Sequence, residues 1–282
     1  MKAIPDVRPS PIAGQWYPAD SQRLAALVNG YIHAARLPVL EGEIVAVMAP
    51  HAGYRYSGPV AGYAFAAVRG MCPDLVVVVS PMHYPHPQPL LTSGHSAYAT
   101  PLGVIPIDRQ AVSALDSALQ DRLDFGLAPL FNDPEHSLEI ELPFLQCALA
   151  GPFHLLPVMV RDQSQDSACG LGQALAEILH GRSALLVAST DLSHFYPQPA
   201  AARLDAEMLR QVQAFDPQGV LRVEMESKAF ACGRGALAAV LWAAKDLGAD
   251  QVHILQYATS GDVTGDFDQV VGYAAAAVTR RN

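Results

Sequence analysis

The chain contains five consecutive apolar residues followed by a short turn, in the segment Leu75-Val76-Val77-Val78-Val79-Ser80-Pro81-Met82-His83. β-Branched residues favour strands, and a strand that is apolar at every position is typical of the centre of a sheet covered on both faces. Pro81 and Pro85 restrict the backbone around His83. The segment therefore predicts a buried central strand that ends in a turn carrying His83.

Two other apolar runs end in the same way. Residues 44–48 lead into APHAGY (residues 49–54), and residues 184–187 lead into STDLSH (residues 189–194). Open α/β sheets bind ligands at the carboxyl edge of their strands. Because each of these strand ends carries a histidine, the pattern predicts one shared pocket containing His51, His83 and His194. A metal site is the interpretation that these side chains favour.

Strand and helix patterns alternate along the rest of the chain. This alternation predicts an α/β fold with a sheet covered by helices on both faces. No repeat, linker or low-complexity tract marks a boundary, so residues 1–282 are expected to form a single domain. Further strands are predicted at 103–107, 154–160, 253–258 and 270–277, and helices at 20–35, 58–68, 109–119, 138–150, 169–179, 200–214 and 233–245.

Composition excludes some classes of partner. Of 282 residues, 51% are hydrophobic and 16% charged, the net charge is −9, and no basic run occurs, so a nucleic-acid partner is not expected. No stretch approaches the roughly 18 apolar residues of a membrane span. Residues 1–9 contain no apolar signal core, and the four cysteines show no CxxC spacing. We expect a cytoplasmic protein with reduced thiols and no membrane association.

Asp191 and His194 are three residues apart and would face the same way in a helical turn. Asp191 has two interpretations, as the cap of such a turn or as the partner of a functional histidine. In the second, His194 is an acid/base group, a role that suits a side chain with an unperturbed pKa near 6.5.

The acidic segment EHSLEIELPFL (residues 135–145) is predicted to begin a helix. Acidic side chains there are commonly complements of the helix dipole. Glu135, His136 and Glu139 are nevertheless candidates for the pocket. Glu141 lies about 200° from Glu139 on a helical wheel, so we expect Glu141 to face solvent or an ion-pair partner.

Cys232 directly precedes a predicted helix, a position where a thiol can have a lowered pKa and act as a nucleophile or metal ligand. The alternative is a small buried thiol, which is also the interpretation of the other three cysteines. Trp16, from the aromatic pair 16–17, is expected to pack near the pocket or to anchor the core. Tyr54, which follows His51 closely, is a further candidate for the pocket.

Taken together, these motifs resemble those of the MEMO family, also called AmmeMemoRadiSam system protein B, over nearly the whole chain. The motifs that carry the resemblance are RPSPIAGQWYP (residues 8–18), APHAGY (49–54), SPMH (80–83), EHSLEIELPFL (135–145), STDLSH (189–194), ACGRG (231–235) and YATSGD (257–262).

The resemblance implies a single α/β domain with a central mixed sheet, like that of the LigB-type class III extradiol dioxygenases. Those enzymes hold iron with two histidines and a glutamate and use another histidine as acid/base. Carried onto this chain, His51 and His83 match the metal histidines, and Cys232 matches the third ligand, where the dioxygenases have a carboxylate. His194 matches the acid/base, with Asp191 beside it. The implied metal is iron(II), with copper or zinc as alternatives.

Three functions remain open from the sequence. The first is a non-haem iron or copper oxidoreductase acting on a small-molecule substrate. The second is a non-catalytic metal-binding or peptide-binding adaptor on a dioxygenase-like fold. The third is a zinc-assisted hydrolase, since a metal-bound water near His194 would support hydrolysis. The resemblance also implies an AMMECR-like protein and a radical SAM protein as partners.

Overall fold

The structure is a computed structural model that describes residues 6–281. Residues 1–5, part of the segment in which no signal core is expected, and residue 282 lie outside the described residues. The strands are β1 (Val7–Arg8), β2 (Glu43–Ala49), β3 (Leu75–Pro81), β4 (Leu90–Ser93), β5 (Ala97–Thr100), β6 (Gly103–Pro106), β7 (Ala128–Leu130), β8 (His154–Val160), β9 (Ala184–Ser189), β10 (His194–Tyr196), β11 (Gln251–Thr259) and β12 (Val270–Arg280). The helices are α1 (Ser21–Ala34), α2 (Tyr54–Ala67), α3 (Arg109–Leu123), α4 (Leu142–Ala148), α5 (Gln165–Leu179), α6 (Gln198–Gln213), α7 (Pro217–Met225), α8 (Arg234–Asp246) and α9 (Gly261–Thr264).

One large mixed sheet organises the molecule. Its strand order is β10-β12-β2-β9-β3-β8-β4-β7, and β11 pairs with β12 outside this path. The four central strands β2, β9, β3 and β8 run parallel to one another, whereas β12 and β4 pair with them in antiparallel register. A small second sheet has the order β1-β5-β6. The predicted α/β fold with a central mixed sheet is confirmed.

The side chains of the central strands enter two separate hydrophobic cores, one on each face of the sheet. In β3, Val77 and Val79 pack with α3, α5 and α8, whereas Val76 and Val78 pack with α1, α2 and α4. All of β3 is buried. This explains why the segment is apolar at every position instead of alternating.

The helix predicted over residues 138–150 is broken into two parts. A 3₁₀ turn spans Glu139–Glu141, and α4 begins at Leu142 with Pro143 in its first turn. Proline is favoured at the start of a helix because it lacks the backbone N–H that would otherwise be unpaired there. Within residues 6–281, no helix has both the length and the apolar character needed to cross a membrane.

Candidate metal centre

The topology gathers the three histidine segments at one edge of the sheet. Strand β9 lies between β2 and β3, and all three run in the same direction. Their carboxyl ends therefore carry the segments around His51, His83 and Asp191 to neighbouring positions. Cys232 reaches the same edge from the loop before α8, where its backbone N–H donates to the Asp191 carbonyl.

His51 is buried, with 1% of its surface exposed. Its Nδ1 lies 2.9 Å from Ser189 Oγ, and its backbone N–H donates to Asp191 Oδ1 at 2.8 Å. Burial lowers the pKa of His51 well below its usual value, and the nearby His136 and His83 act in the same direction. His51 is therefore a neutral imidazole, which is the form that binds metals.

Glu135 holds the His83 segment in place. It is buried, and its carboxylate lies 2.9 Å from His83 Nδ1 and accepts the His83 backbone N–H at 2.7 Å. It also accepts the backbone N–H groups of His136 and Ser137. Burial alone would raise the pKa of Glu135, but hydrogen bonds from His83 and Ser137 outweigh it and lower that pKa. An ionised Glu135 therefore favours the proton of His83 on Nδ1.

The imidazoles of His51, His83 and His136 form one cluster, which we call the histidine cluster. One nitrogen from each ring lies within 4.8 Å of the others. The rings of His83 and His136 are stacked, 10° from parallel and 4.8 Å apart, whereas His51 is edge-on to both. Trp16 packs on His136 with ring centres 4.1 Å apart. Burial lowers the pKa of His136 to about 4, so this ring is also neutral.

Cys232 contacts the histidine cluster through His51. Its Sγ lies 3.1 Å from His51 Nε2, and it accepts the backbone N–H of Asp191 at 3.2 Å. The sequence allowed a lowered pKa for the Cys232 thiol, and this interpretation is wrong. Burial raises the pKa of the Cys232 thiol, and the Asp191 carboxylate raises it further. The thiol is therefore protonated unless a cation binds beside it.

Asp191 contacts His51 of the cluster, whereas the ring of His194 packs against Phe195 and Phe230. His194 Nδ1 is 2.8 Å from the Leu192 carbonyl, which can only accept, so the proton is on Nδ1 and Nε2 has a free lone pair. The Asp191 carboxylate faces His51 instead, with Oδ2 4.0 Å from His51 Nε2. Burial lowers the pKa of His194 and raises that of Asp191 to about 7.

The prediction for Glu141 is wrong. Glu139 and Glu141 are both fully buried, because protein packs against both sides of the 3₁₀ turn. Glu139 accepts hydrogen bonds from Arg8, Ser10 and Tyr17. Glu141 Oε1 instead lies 2.7 Å from Ser189 Oγ, at the end of β9. The two carboxyl groups therefore have different partners, and neither faces solvent.

Trp16 lines a cavity of about 480 Å³ next to the histidine cluster. Ala52 and Gly53, which directly follow His51, form another part of its wall. Tyr54 has a structural role: its hydroxyl donates to the Ile140 carbonyl at 2.7 Å, and its ring packs against Tyr17 and Phe144. The other lining residues of the cavity are Gln15, Tyr56, Phe195, Ser260, Thr264, Asp266, Gln269, Val271 and Tyr273.

Three residues of this region were given no role by the sequence patterns. Ser189 links His51 to Glu141, and its position at the end of β9 is the signal that would have indicated it. Phe195 lines the cavity with 67% of its surface exposed and has a positive φ of 62°. Arg8 is buried, and its guanidinium donates to the Glu135 carbonyl at 2.7 Å. No local pattern indicates the role of Arg8, because its partners are distant in sequence.

The chain is similar to proteins of one family over nearly its whole length. The family model described as "Memo-like protein" matches residues 8–277. A MEMO1 family protein of Nitrosopumilus maritimus is 34% identical over 273 residues, covering 95% of this chain and 98% of the relative. One from Methanothermobacter thermautotrophicus is 35% identical over 279 residues, covering 95% and 99%. Among solved structures, an uncharacterized protein, JW3007, from Escherichia coli K12 is similar with a TM-score of 0.44, at 15% identity, over 83% of this chain and 99% of that one. The chain belongs to the Memo-like protein family.

Proposed function

We propose that this protein is a metal-dependent oxidoreductase in which His51, His83 and Cys232 hold iron(II), with copper as the alternative metal. The observation that carries the proposal is the state of the two histidines. Each has its Nδ1 engaged by a partner, Ser189 for His51 and Glu135 for His83, at 2.9 Å. Partners of this kind fix the tautomer and direct the Nε2 lone pair toward a metal.

Cys232 suits the third position better than His136 does. The lone pairs of an imidazole lie in the plane of its ring. The rings of His83 and His136 are stacked, so their lone pairs lie in nearly parallel planes and do not converge on one ion. Cys232 Sγ and His51 Nε2 are 3.1 Å apart, which is well within the sum of two metal–donor bonds, about 4.4 Å. The His83 side chain is 33% exposed, and its contact with Glu135 through Nδ1 leaves Nε2 as the nitrogen available to the metal.

Iron(II) at this position would supply O₂ binding and electron transfer. His194 is the group that we expect to accept or return a proton, because its Nε2 is unprotonated and its ring is fixed by the Leu192 carbonyl. A small-molecule substrate would occupy the adjoining cavity, whose walls include Trp16, Tyr56 and Phe195. Asp266 is the one carboxylate among the described residues that line it, and no lysine or arginine is among them.

Anaerobic purification followed by metal analysis, and then O₂ consumption with a panel of metabolites, tests the proposal. We expect about one iron per chain in the wild type and in His194→Ala, with turnover reduced about 10²–10⁴-fold in the latter. His51→Ala should lose the metal itself. Exposed His154 provides the control, because His154→Ala should change neither quantity.

Other outcomes of the same experiment support the alternative functions. Stoichiometric zinc with hydrolytic turnover would replace the oxidoreductase with a zinc-assisted hydrolase. Metal binding without any turnover, together with peptide capture, would favour the adaptor. If His194→Ala removes the metal as completely as His51→Ala does, then His194 is a ligand and the proposed role of Cys232 is wrong.

A further inference from the structure

Glu141 is a buried carboxyl group without a cationic partner among residues 6–281. Its exposed surface is 0%, and Oε2 has no hydrogen-bond partner in the described part of the chain. Within residues 6–281, the one hydrogen-bond contact of the carboxyl group joins Oε1 to Ser189 Oγ at 2.7 Å. An ionised carboxylate in this position would be strongly disfavoured, because no cation among the described residues compensates the loss of its hydration.

Ser189 is the centre of three short contacts. Its Oγ lies 2.7 Å from the Ser137 carbonyl, 2.7 Å from Glu141 Oε1 and 2.9 Å from His51 Nδ1. A serine hydroxyl has one hydrogen to donate and two lone pairs that accept. The Ser137 carbonyl can only accept, so it takes the hydrogen of Ser189. The contacts with Glu141 and His51 are then hydrogen bonds only if both of those groups donate.

We propose that Glu141 is a neutral carboxylic acid that donates to Ser189 Oγ, and that this network fixes the His51 proton on Nδ1 and leaves Nε2 free for the metal. The proposal rests on the proposed function insofar as His51 is taken as a metal ligand. Glu141 is a positioning residue in this account, because it acts on the metal only through Ser189 and His51.

The electrostatic surroundings agree with this assignment of protons. Burial raises the pKa of Glu141 well above its usual value; the contact with Ser189 acts against this rise, and the carboxylate of Asp191 adds to it. Tyr54 also interacts with Glu141, and burial raises its own pKa, so neither Asp191 nor Tyr54 places a positive charge beside Glu141. The contact of Cys232 Sγ with His51 Nε2 also fits, because a thiol donates to the unprotonated nitrogen of that tautomer.

Two substitutions separate the donor role of Glu141 from its volume. Glu141→Gln keeps a donor of similar shape, whereas Glu141→Met keeps the volume and removes the donor. The tautomer of His51 is read by ¹⁵N NMR on protein treated with a chelator, with His51→Asn for assignment. Zinc affinity is then measured by titration with a competing chelator. Thermal unfolding reports whether each variant is folded.

We expect the Nδ1–H tautomer in the wild type and in Glu141→Gln. Glu141→Met should populate the Nε2–H tautomer and bind zinc about 10–100-fold more weakly. An unchanged tautomer in Glu141→Met, or its loss in both variants, would overturn the proposal. The tautomer of His51 is measured without metal, so its result tests the role of Glu141 alone. The proposed function fails separately, if the wild type binds no metal.

A direct observation of the proton covers the case in which Glu141→Met does not fold. The infrared carbonyl band of a protonated carboxylic acid, identified by isotopic labelling of glutamate, should be present at neutral pH in the wild type. It should disappear in Glu141→Gln. A wild type without this band would have an ionised Glu141, and the network would be assigned wrongly.

Discussion

At the scale of single residues, Arg8 holds the segment that carries Glu135 and His136. It is 1% exposed, and its guanidinium contacts Asp133 at 2.9 Å and Glu139 at 2.6 Å. It also donates to the Glu135 carbonyl. One buried cation therefore compensates two buried carboxylates and links the N-terminal strand to the histidine cluster.

We expect Arg8→Met to lower the free energy of unfolding by about 3–5 kcal/mol, because it leaves two carboxylates buried without a cation. Chemical denaturation measures the loss. Arg122→Met is the matched control, since Arg122 forms an exposed ion pair with Glu177 and should contribute less than about 1 kcal/mol. Similar losses for the two variants would contradict the role given to Arg8.

Individual residues also show where sequence reasoning succeeds. His51 and His83 could be placed at a sheet edge because each follows an apolar strand in the local sequence. Glu141 could not be placed, because the residue that contacts it, Ser189, is 48 positions away. A buried acid and an exposed acid look the same in sequence when the compensating contact is formed only by the tertiary fold.

At the scale of elements, the start of α8 packs tightly against the end of β9. A Cβ atom at Gly233 would lie 2.5 Å from the Ser189 carbonyl oxygen and 2.9 Å from Thr190 Cβ. The Gly233 backbone N–H also donates to Thr190 Oγ1 at 2.9 Å. This close approach is what places Cys232 against His51.

Gly233→Ala should therefore lower the free energy of unfolding by about 1–3 kcal/mol and weaken zinc binding, because α8 must move away from β9. Denaturation and zinc titration measure the two effects. Gly30→Ala is the control: Gly30 lies in α1 with nothing within 4 Å of an added Cβ, so alanine should stabilise by about 0.5–1 kcal/mol. Unchanged stability and zinc affinity in Gly233→Ala would show that the close contact between α8 and β9 does not position Cys232.

The predicted elements agree best with the structure where local patterns are strong. The strand predicted at residues 154–160 matches β8, and the central strand at residue 75 begins where predicted. The short strands β4, β5, β7 and β10 were not predicted, because segments of three or four residues have no distinct periodicity. Their pairing is determined by the neighbouring strands.

At the scale of the whole molecule, the buried site makes stability depend on pH in two opposing ways. Burial lowers the pKa of His136 to about 4. Its contribution to the free energy of unfolding is therefore present above pH 6.5 and is lost as the pH falls toward 4. Burial raises the pKa of Asp191 to about 7, so its contribution is present below about pH 4 and is lost as the pH rises toward 7. His51 and His194 follow the first pattern, and Glu141 follows the second.

Because these contributions offset one another, we expect a shallow wild-type profile of unfolding free energy between pH 4 and 7. The unfolding free energy of Asp191→Asn should fall on acidification, and that of His136→Gln should rise on acidification relative to the wild type. Each group contributes up to about 1.4 kcal/mol per pH unit. Urea denaturation at several pH values, with chelator present, gives the slopes. Parallel profiles for all three proteins would contradict the assigned protonation states.

The most direct measurement is X-ray absorption spectroscopy of the protein reconstituted anaerobically with iron(II). The account predicts one iron per chain, bonded to imidazole nitrogen and to one sulfur atom. That sulfur should disappear in Cys232→Ser, while His136→Gln should retain it. A wild-type spectrum with nitrogen and oxygen ligands only, or a protein that binds no stoichiometric iron, would contradict the assignment of His51, His83 and Cys232 as the metal site.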